Sequence, residues 1–134
     1  MISTNTYLGF NGTCEEAMNF YATLLGGKVM MMMKADKPEQ GGPDFVGKVM
    51  HVRMKVGDRL LMGSDAPAAR YSTPQGFTIN VDVDTPAEAD RIYAALAEGG
   101  AQPMPIAETF WAKRFGMCVD RFGTPWMVNC EKPV

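Results

Sequence analysis

Two stretches of this chain carry the same helical pattern 72 positions apart, and no other feature limits the fold as strongly. The first opens at Thr13 with Glu16 three residues on; the second opens at Thr85 with Pro86 next and Glu88 three residues on. Threonine at the N-cap and glutamate at N3 satisfy amides that a helix start leaves unpaired, and proline suits the first helical position. Apolar residues then recur at Ala17, Phe20, Tyr21, Leu24 and Leu25, and again at Ala89, Ile92, Tyr93, Leu96 and Ala97. That spacing marks one buried helical face. Both patterns stop at glycine pairs, Gly26-Gly27 and Gly99-Gly100, where a left-handed helix end costs least. A duplicated unit accounts for all of this.

The flanks extend the repeat. Thr6 to Phe10 reads as a strand before the first helix, and Phe77 to Val83 as its counterpart. In the latter, Phe77, Ile79, Val81 and Val83 alternate with Thr78, Asn80 and Asp82, the period of a half-buried strand. Strands are expected at 28–34, 48–56 and 59–64 after the first helix, with a Gly57-Asp58 turn. After the second they are expected at 101–107, 115–121 and 124–130, with Phe122-Gly123 at the last turn. Each half is therefore β-α-β-β-β: one module over residues 1–65, a linker over 66–74 and a second module over 75–134. The fold class is α+β, two tandem βαβββ modules forming a curved, mostly antiparallel sheet around a cavity, helices on the outer face. A four-stranded sheet with one helix leaves its other face bare. Two such faces turned together enclose a polar trough, lined on this parity by Thr78, Asn80 and Asp82.

Charge and cysteine usage narrow the function. Lys plus Arg number 13 against 15 Asp plus Glu, with no basic run, so nucleic acid is not an expected partner. Cys14, Cys118 and Cys130 form no CxxC pair, which argues against a disulfide framework or a cysteine-rich zinc site. The start, Met1-Ile-Ser-Thr-Asn-Thr, carries no basic and apolar leader pattern, and the longest apolar run is Val29 to Met33. A cytoplasmic protein without membrane association is expected. Methionine is abundant, 12 in all with five between Met30 and Met50, and suits a plastic cavity or a soft core equally.

Several runs carry a family likeness: Tyr7-Leu-Gly-Phe10, Glu16 to Tyr21, Leu25-Gly-Gly27, Met50-His51, Leu61-Met62, Ser64-Asp65 and Gly76-Phe-Thr78. The most specific are Glu108-Thr-Phe-Trp111-Ala-Lys-Arg-Phe-Gly116 and Asp120-Arg-Phe-Gly123-Thr-Pro-Trp126-Met-Val-Asn129. With these, the chain resembles the PhnB-like branch of the vicinal-oxygen-chelate superfamily, the fold of glyoxalase I, extradiol dioxygenases, fosfomycin-resistance enzymes and bleomycin-binding proteins. The resemblance implies a homodimer. Some PhnB-like proteins carry a ubiquinone-methyltransferase label, but the chain shows no glycine-rich strand-to-helix turn of the kind that binds S-adenosylmethionine.

Catalytic members of the superfamily hold a divalent metal with His and Glu on the first and last strand of each half. Those positions fall here at Thr6, Met62, Thr78 and Met127, and sliding by one residue to Asn5, Leu61, Gly63, Phe77, Trp126 or Val128 supplies no better donor. Alcohols and thioethers are poor ligands for hard divalent ions, and His51 is the single histidine, so no metal and no cofactor are expected. His51 and Arg53 share one strand face, and His51 is a candidate base or anion contact, or else a structural histidine. Asp65 is a candidate carboxylate or a turn residue. Glu108, Trp111 and Phe115 read as a segment between strands that stacks on a planar or cationic ligand, or plugs the sheet. The thiols show no nucleophile context, with no second histidine and only Cys14 placed at a helix start where a dipole would act on it, so nucleophilic cysteine catalysis is not expected. Two functions follow: metal-independent binding of a small molecule in a dimer cavity, through His51, Arg53, Thr78, Asn80, Glu108, Trp111 and Phe115; or a glyoxalase- or dioxygenase-like enzyme using His51, Asp65 and Glu108. A purely structural dimer with a filled trough is the third.

Overall fold

Leu8 and Phe10 are buried while Tyr7 and Gly9 are exposed, so the first strand, β1 (Thr6–Phe10), turns one side to a helix and leaves the other bare. The computed structural model describes residues 1–133 and divides into two units, one from Met1 to Ser72 and one beginning at Thr73. In the first unit β1 is followed by α1 (Cys14–Leu25), β2 (Lys28–Lys34), β3 (Val49–Val56) and β4 (Arg59–Asp65). Sheet order is β1-β4-β3-β2, with β1 parallel to β4 and the remaining pairs antiparallel. Val52 and Met54 on β3, and Leu61 and Gly63 on β4, are buried on the α1 side. The Gly57-Asp58 turn joins β3 to β4 as expected.

The second unit repeats the plan with β5 (Ile79–Asp82), α2 (Pro86–Ala97), β6 (Ala101–Ala107), β7 (Ala112–Val119) and β8 (Pro125–Glu131). Its order, β5-β8-β7-β6, again pairs the first and last strands in parallel. The expected apolar face of α2 is the buried one: Ala89, Ile92, Tyr93, Leu96 and Ala97. Thr85 caps α2, its hydroxyl accepting the Glu88 N–H at 3.2 Å. The Tyr93 hydroxyl lies 3.0 Å from the Met117 carbonyl oxygen and 3.2 Å from that of Met104, tying the helix to β7 and β6. Gly116 makes room for this ring, since a Cβ there would stand 2.7 Å from Tyr93 Cε1. At the last turn the buried Asp120 accepts the N–H groups of Phe122 and Thr124 at 2.9 and 3.0 Å and the Trp126 indole at 2.8 Å.

Four expectations need correction. The Thr13 side chain makes no cap hydrogen bond, and α1 is capped from outside its own segment, as described below. The buried face of α1 is Cys14, Ala17, Met18, Tyr21 and Ala22, whereas Phe20, Leu24 and Leu25 are only half-buried. Strand β7 begins at Ala112, three residues early, because an irregularity between Ala112 and Arg114 breaks the alternation that the sequence would show. Finally, the strands are not offset by the helices' 72 positions. Tyr7 pairs with Met62 and Asn80 with Met127, an offset of 73, because Phe10 precedes Thr13 by three residues while Val83 precedes Thr85 by two.

Candidate functional site

The face of the first sheet that α1 does not cover carries the side chains most suited to a ligand. Because Val52 and Met54 turn toward the helix, His51 and Arg53 project from the opposite side of β3. Met62 stands beside Arg53, and Met31 and Met33 stand opposite Arg53 and His51 on β2. Tyr7 comes from β1, with β4 running between it and β3. Its hydroxyl is 3.1 Å from Nδ1 of His51, and the rings stack with centroids 5.7 Å apart and planes at 22°. Hydrogen-bonded aromatics bordered by soft thioethers and a guanidinium form a surface for an organic molecule with a polar or anionic end.

Register also revises the family's ligand positions. Thr6 pairs with Leu61 and so has helix-side parity; the residue opposite Met62 on the bare face is Tyr7. Likewise Asn80, not Thr78, faces Met127, and Thr78 lies just before β5. The two sheets therefore offer a phenol and a thioether, and a carboxamide and a thioether. These donors do not fit a catalytic divalent ion, which requires imidazole or carboxylate ligands.

The three residues of the enzymatic reading have different surroundings. Asp65 is buried on the helix side of β4, the side away from His51. Its Oδ1 accepts the Cys14 N–H at 3.0 Å and its Oδ2 the Val49 N–H at 2.9 Å. Both oxygens are spent on backbone, so Asp65 caps α1 and anchors β3 instead of facing a ligand. Glu108 belongs to the second unit and is ion-paired to Lys132 at 3.0 Å. Cys14 is not activated by its helix start. Burial, and then the Asp65 carboxylate, push its thiol up to about 12, and burial lifts Cys118 to about 11.

In the second unit, Trp111 is exposed, with its ring 4.8 Å from that of Phe110 and 5.3 Å from that of Phe115. Phe115 is a strand residue and not part of the preceding loop. It pairs with Asn129 on β8, which pairs with Asp82 on β5. Asp82, Val83, Asp84, Asn129 and Glu131 line a groove of about 330 Å³. Sequence reasoning missed Tyr7, Asn129 and Glu131. The helical offset had placed Thr6 on the bare face, and the Asp82–Asn129 approach joins residues 47 positions apart.

Comparison with known proteins agrees with this architecture. Residues 3–129 match the family described as 3-demethylubiquinone-9 3-methyltransferase. Protein PA1353 from Pseudomonas aeruginosa is 46% identical, with a TM-score of 0.89 over 99% of this chain and 100% of its own. The PhnB protein from Bacillus cereus is 27% identical, with a TM-score of 0.86 over 96% and 99%. A glyoxylase/bleomycin resistance protein/dioxygenase domain from Frankia sp. EAN1pec shares the fold at 12% identity, with a TM-score of 0.64 over 98% of both chains. The methyl-donor site that the family description implies is not matched by the residues present. The strand-to-helix turns read Asn11-Gly12-Thr13 and Val83-Asp84-Thr85, and the helix starts behind them are capped by Asp65 and Thr85.

Proposed function

The chain belongs to the 3-demethylubiquinone-9 3-methyltransferase family, whose PhnB-like members have the glyoxalase/bleomycin-resistance fold, and from that premise we propose that it is a metal-independent receptor for a small organic molecule. The ligand rests on the bare face of the first sheet, with the Tyr7–His51 pair and Arg53 binding its polar end and Met31, Met33 and Met62 packing its apolar part. The working form is a homodimer. The single observation that carries this reading is the Tyr7–His51 contact at 3.1 Å, which sets a phenol hydroxyl and an imidazole together on a face that α1 does not cover. The donor set supports a metal-free site, because neither Tyr7 with Met62 nor Asn80 with Met127 supplies a histidine or carboxylate.

Native mass spectrometry of freshly purified protein tests all parts together. The expected species is a dimer carrying an organic adduct and no metal, with the adduct lost in His51→Ala. Stoichiometric zinc, nickel, manganese or iron would overturn the reading, as would an adduct retained in the variant.

A further inference from the structure

Thioethers suit apolar cores, and two methionines of the first unit, Met18 and Met54, have no exposed surface. Strand β2 does the opposite: Met30, Met31 and Met33 are 54, 38 and 49% exposed. An exposed thioether is open to a peroxide, which converts it to a sulfoxide, whereas a buried one is shielded. Cys14, Cys118 and Cys130 are all buried and do not intercept the oxidant. Exposure alone does not single out β2, because Met104 on β6 is exposed to the same 38% as Met31.

The difference lies in what stands across from each thioether. Met31 pairs with Arg53 and Met33 with His51, and side chains directly opposite in an antiparallel pair are about 5 Å apart at Cβ. Met104 pairs with Met117, which offers no side-chain N–H. Arg53 is a pure donor and is ion-paired to no carboxylate among the described residues. Tyr7 occupies Nδ1 of His51 and leaves Nε2 for another partner. In the oxidation, the sulfur lone pair attacks one peroxide oxygen, and the S–O bond forms as the O–O bond breaks. The other oxygen leaves as hydroxide and takes the hydrogen of the transferred one to become water. Sulfur loses two electrons and the peroxide gains them. Negative charge develops on the leaving oxygen and stays on the sulfoxide oxygen, so a guanidinium beside Met31 favours both the reaction and its product.

We propose that Met31 and Met33 form a reversible oxidation site for peroxides, in which the sulfoxide oxygens take the N–H donors of Arg53 and His51. The consequence for binding rests on the reading of the bare face as the ligand surface: oxidation closes that surface. Donors that bind the ligand's polar end become satisfied within the sheet, and two groups that pack its apolar part become polar. A thiol-dependent reductase reverses the change, the sulfoxide oxygen leaving as water while two thiols become a disulfide.

Hydrogen peroxide at neutral pH, followed by timed peptide mapping in a mass spectrometer, is the direct test. Met31 is expected to oxidise about fivefold faster than Met104 despite equal exposure, and Met18 and Met54 only after unfolding. Arg53→Leu removes the donor and should bring the Met31 rate down to that of Met104. Arg53→Lys keeps a charged donor and should retain most of the difference; Arg53 is exposed, so both variants keep the fold. In the unaltered protein the Arg53 Nε–H resonance should shift on oxidation and return after treatment with the two methionine sulfoxide reductases, one for each sulfoxide epimer, and dithiothreitol. The organic adduct should be lost on oxidation, in Met104→Leu as in the unaltered protein. Equal rates at Met31 and Met104, a Met31 rate indifferent to Arg53→Leu, or an adduct retained by protein oxidised at both Met31 and Met33 overturns the proposal. Absence of any adduct before oxidation removes the receptor reading by itself, and the two rates and the Arg53 resonance still decide the oxidation site.

Discussion

The Asp65 carboxylate, at the end of the last strand of its sheet, caps the helix that starts at Cys14, 51 positions earlier in the chain. One oxygen takes the Cys14 N–H and the other the Val49 N–H, so a single side chain joins the start of α1 to the start of β3 and the end of β4. Asp65→Ala leaves two buried donors unpaired and is expected to cost about 3 kcal/mol, measured by urea unfolding. Asp65→Asn should cost nearly as much, because one end of the amide must then point an N–H at another N–H. A loss below about 0.5 kcal/mol for both would contradict the capping role.

The thiols give a pH prediction. Cys14 and Cys118 rise from the ordinary 9.0 to about 12 and about 11, chiefly through burial. Above pH 9 the unfolded chain releases protons that the folded chain keeps, so stability falls with rising pH. The loss runs from pH 9 to about 11 for Cys118 and to about 12 for Cys14. Below pH 9 both contributions are fully present. Cys14→Ala should flatten the alkaline limb of the unfolding curve, and iodoacetamide at pH 8 should label the thiols only after denaturation.

Gly116 and Tyr93 form a packing pair. Gly116→Ala would place Cβ 2.7 Å from Tyr93 Cε1 and 2.8 Å from the Ile106 Cα, a clash with ring and backbone that should cost about 2 kcal/mol in urea unfolding. Tyr93→Phe removes only the hydroxyl contacts with Gln102, Met104 and Met117, at about 1 kcal/mol. The alanine variant should be the less stable of the two.

Tyr7→Phe separates binding from folding. Tyr7 is exposed, so stability should change by less than about 0.5 kcal/mol in thermal unfolding. Loss of the hydroxyl that faces His51 Nδ1 should nonetheless lower retention of the organic adduct expected above about tenfold by native mass spectrometry. Wild-type retention in this variant would remove Tyr7 from the site.

Much of this architecture was legible because it is written locally. Ala89, Ile92, Tyr93, Leu96 and Ala97 follow one helical stripe, and all are buried. Thr85 and Glu88 lie within one turn and cap as their spacing predicts. The same reasoning misplaced the α1 face, because the buried stripe runs through Met18 and Ala22 while Leu24 and Leu25, in the last turn, stay half-buried. Asp65 reads as a turn residue until β4 is laid beside β1, and only then does its carboxylate reach Cys14. The acidic groove was illegible for the same reason: Asp82 and Asn129 meet only through strand pairing. Chemistry assembled from distant segments leaves no short-range signature.

The one-residue difference between the Phe10-to-Thr13 and Val83-to-Thr85 spacings reaches well beyond the loops themselves. Side chains on a strand alternate sides, so a single indel ahead of a fixed helix exchanges which half of a strand's residues is presented. Duplicated halves can thus diverge in surface chemistry without a substitution in any strand, and homologous columns in the two copies cease to be equivalent in space. Transferring a functional residue from one half to the other by counting lands on the wrong side of the β-layer.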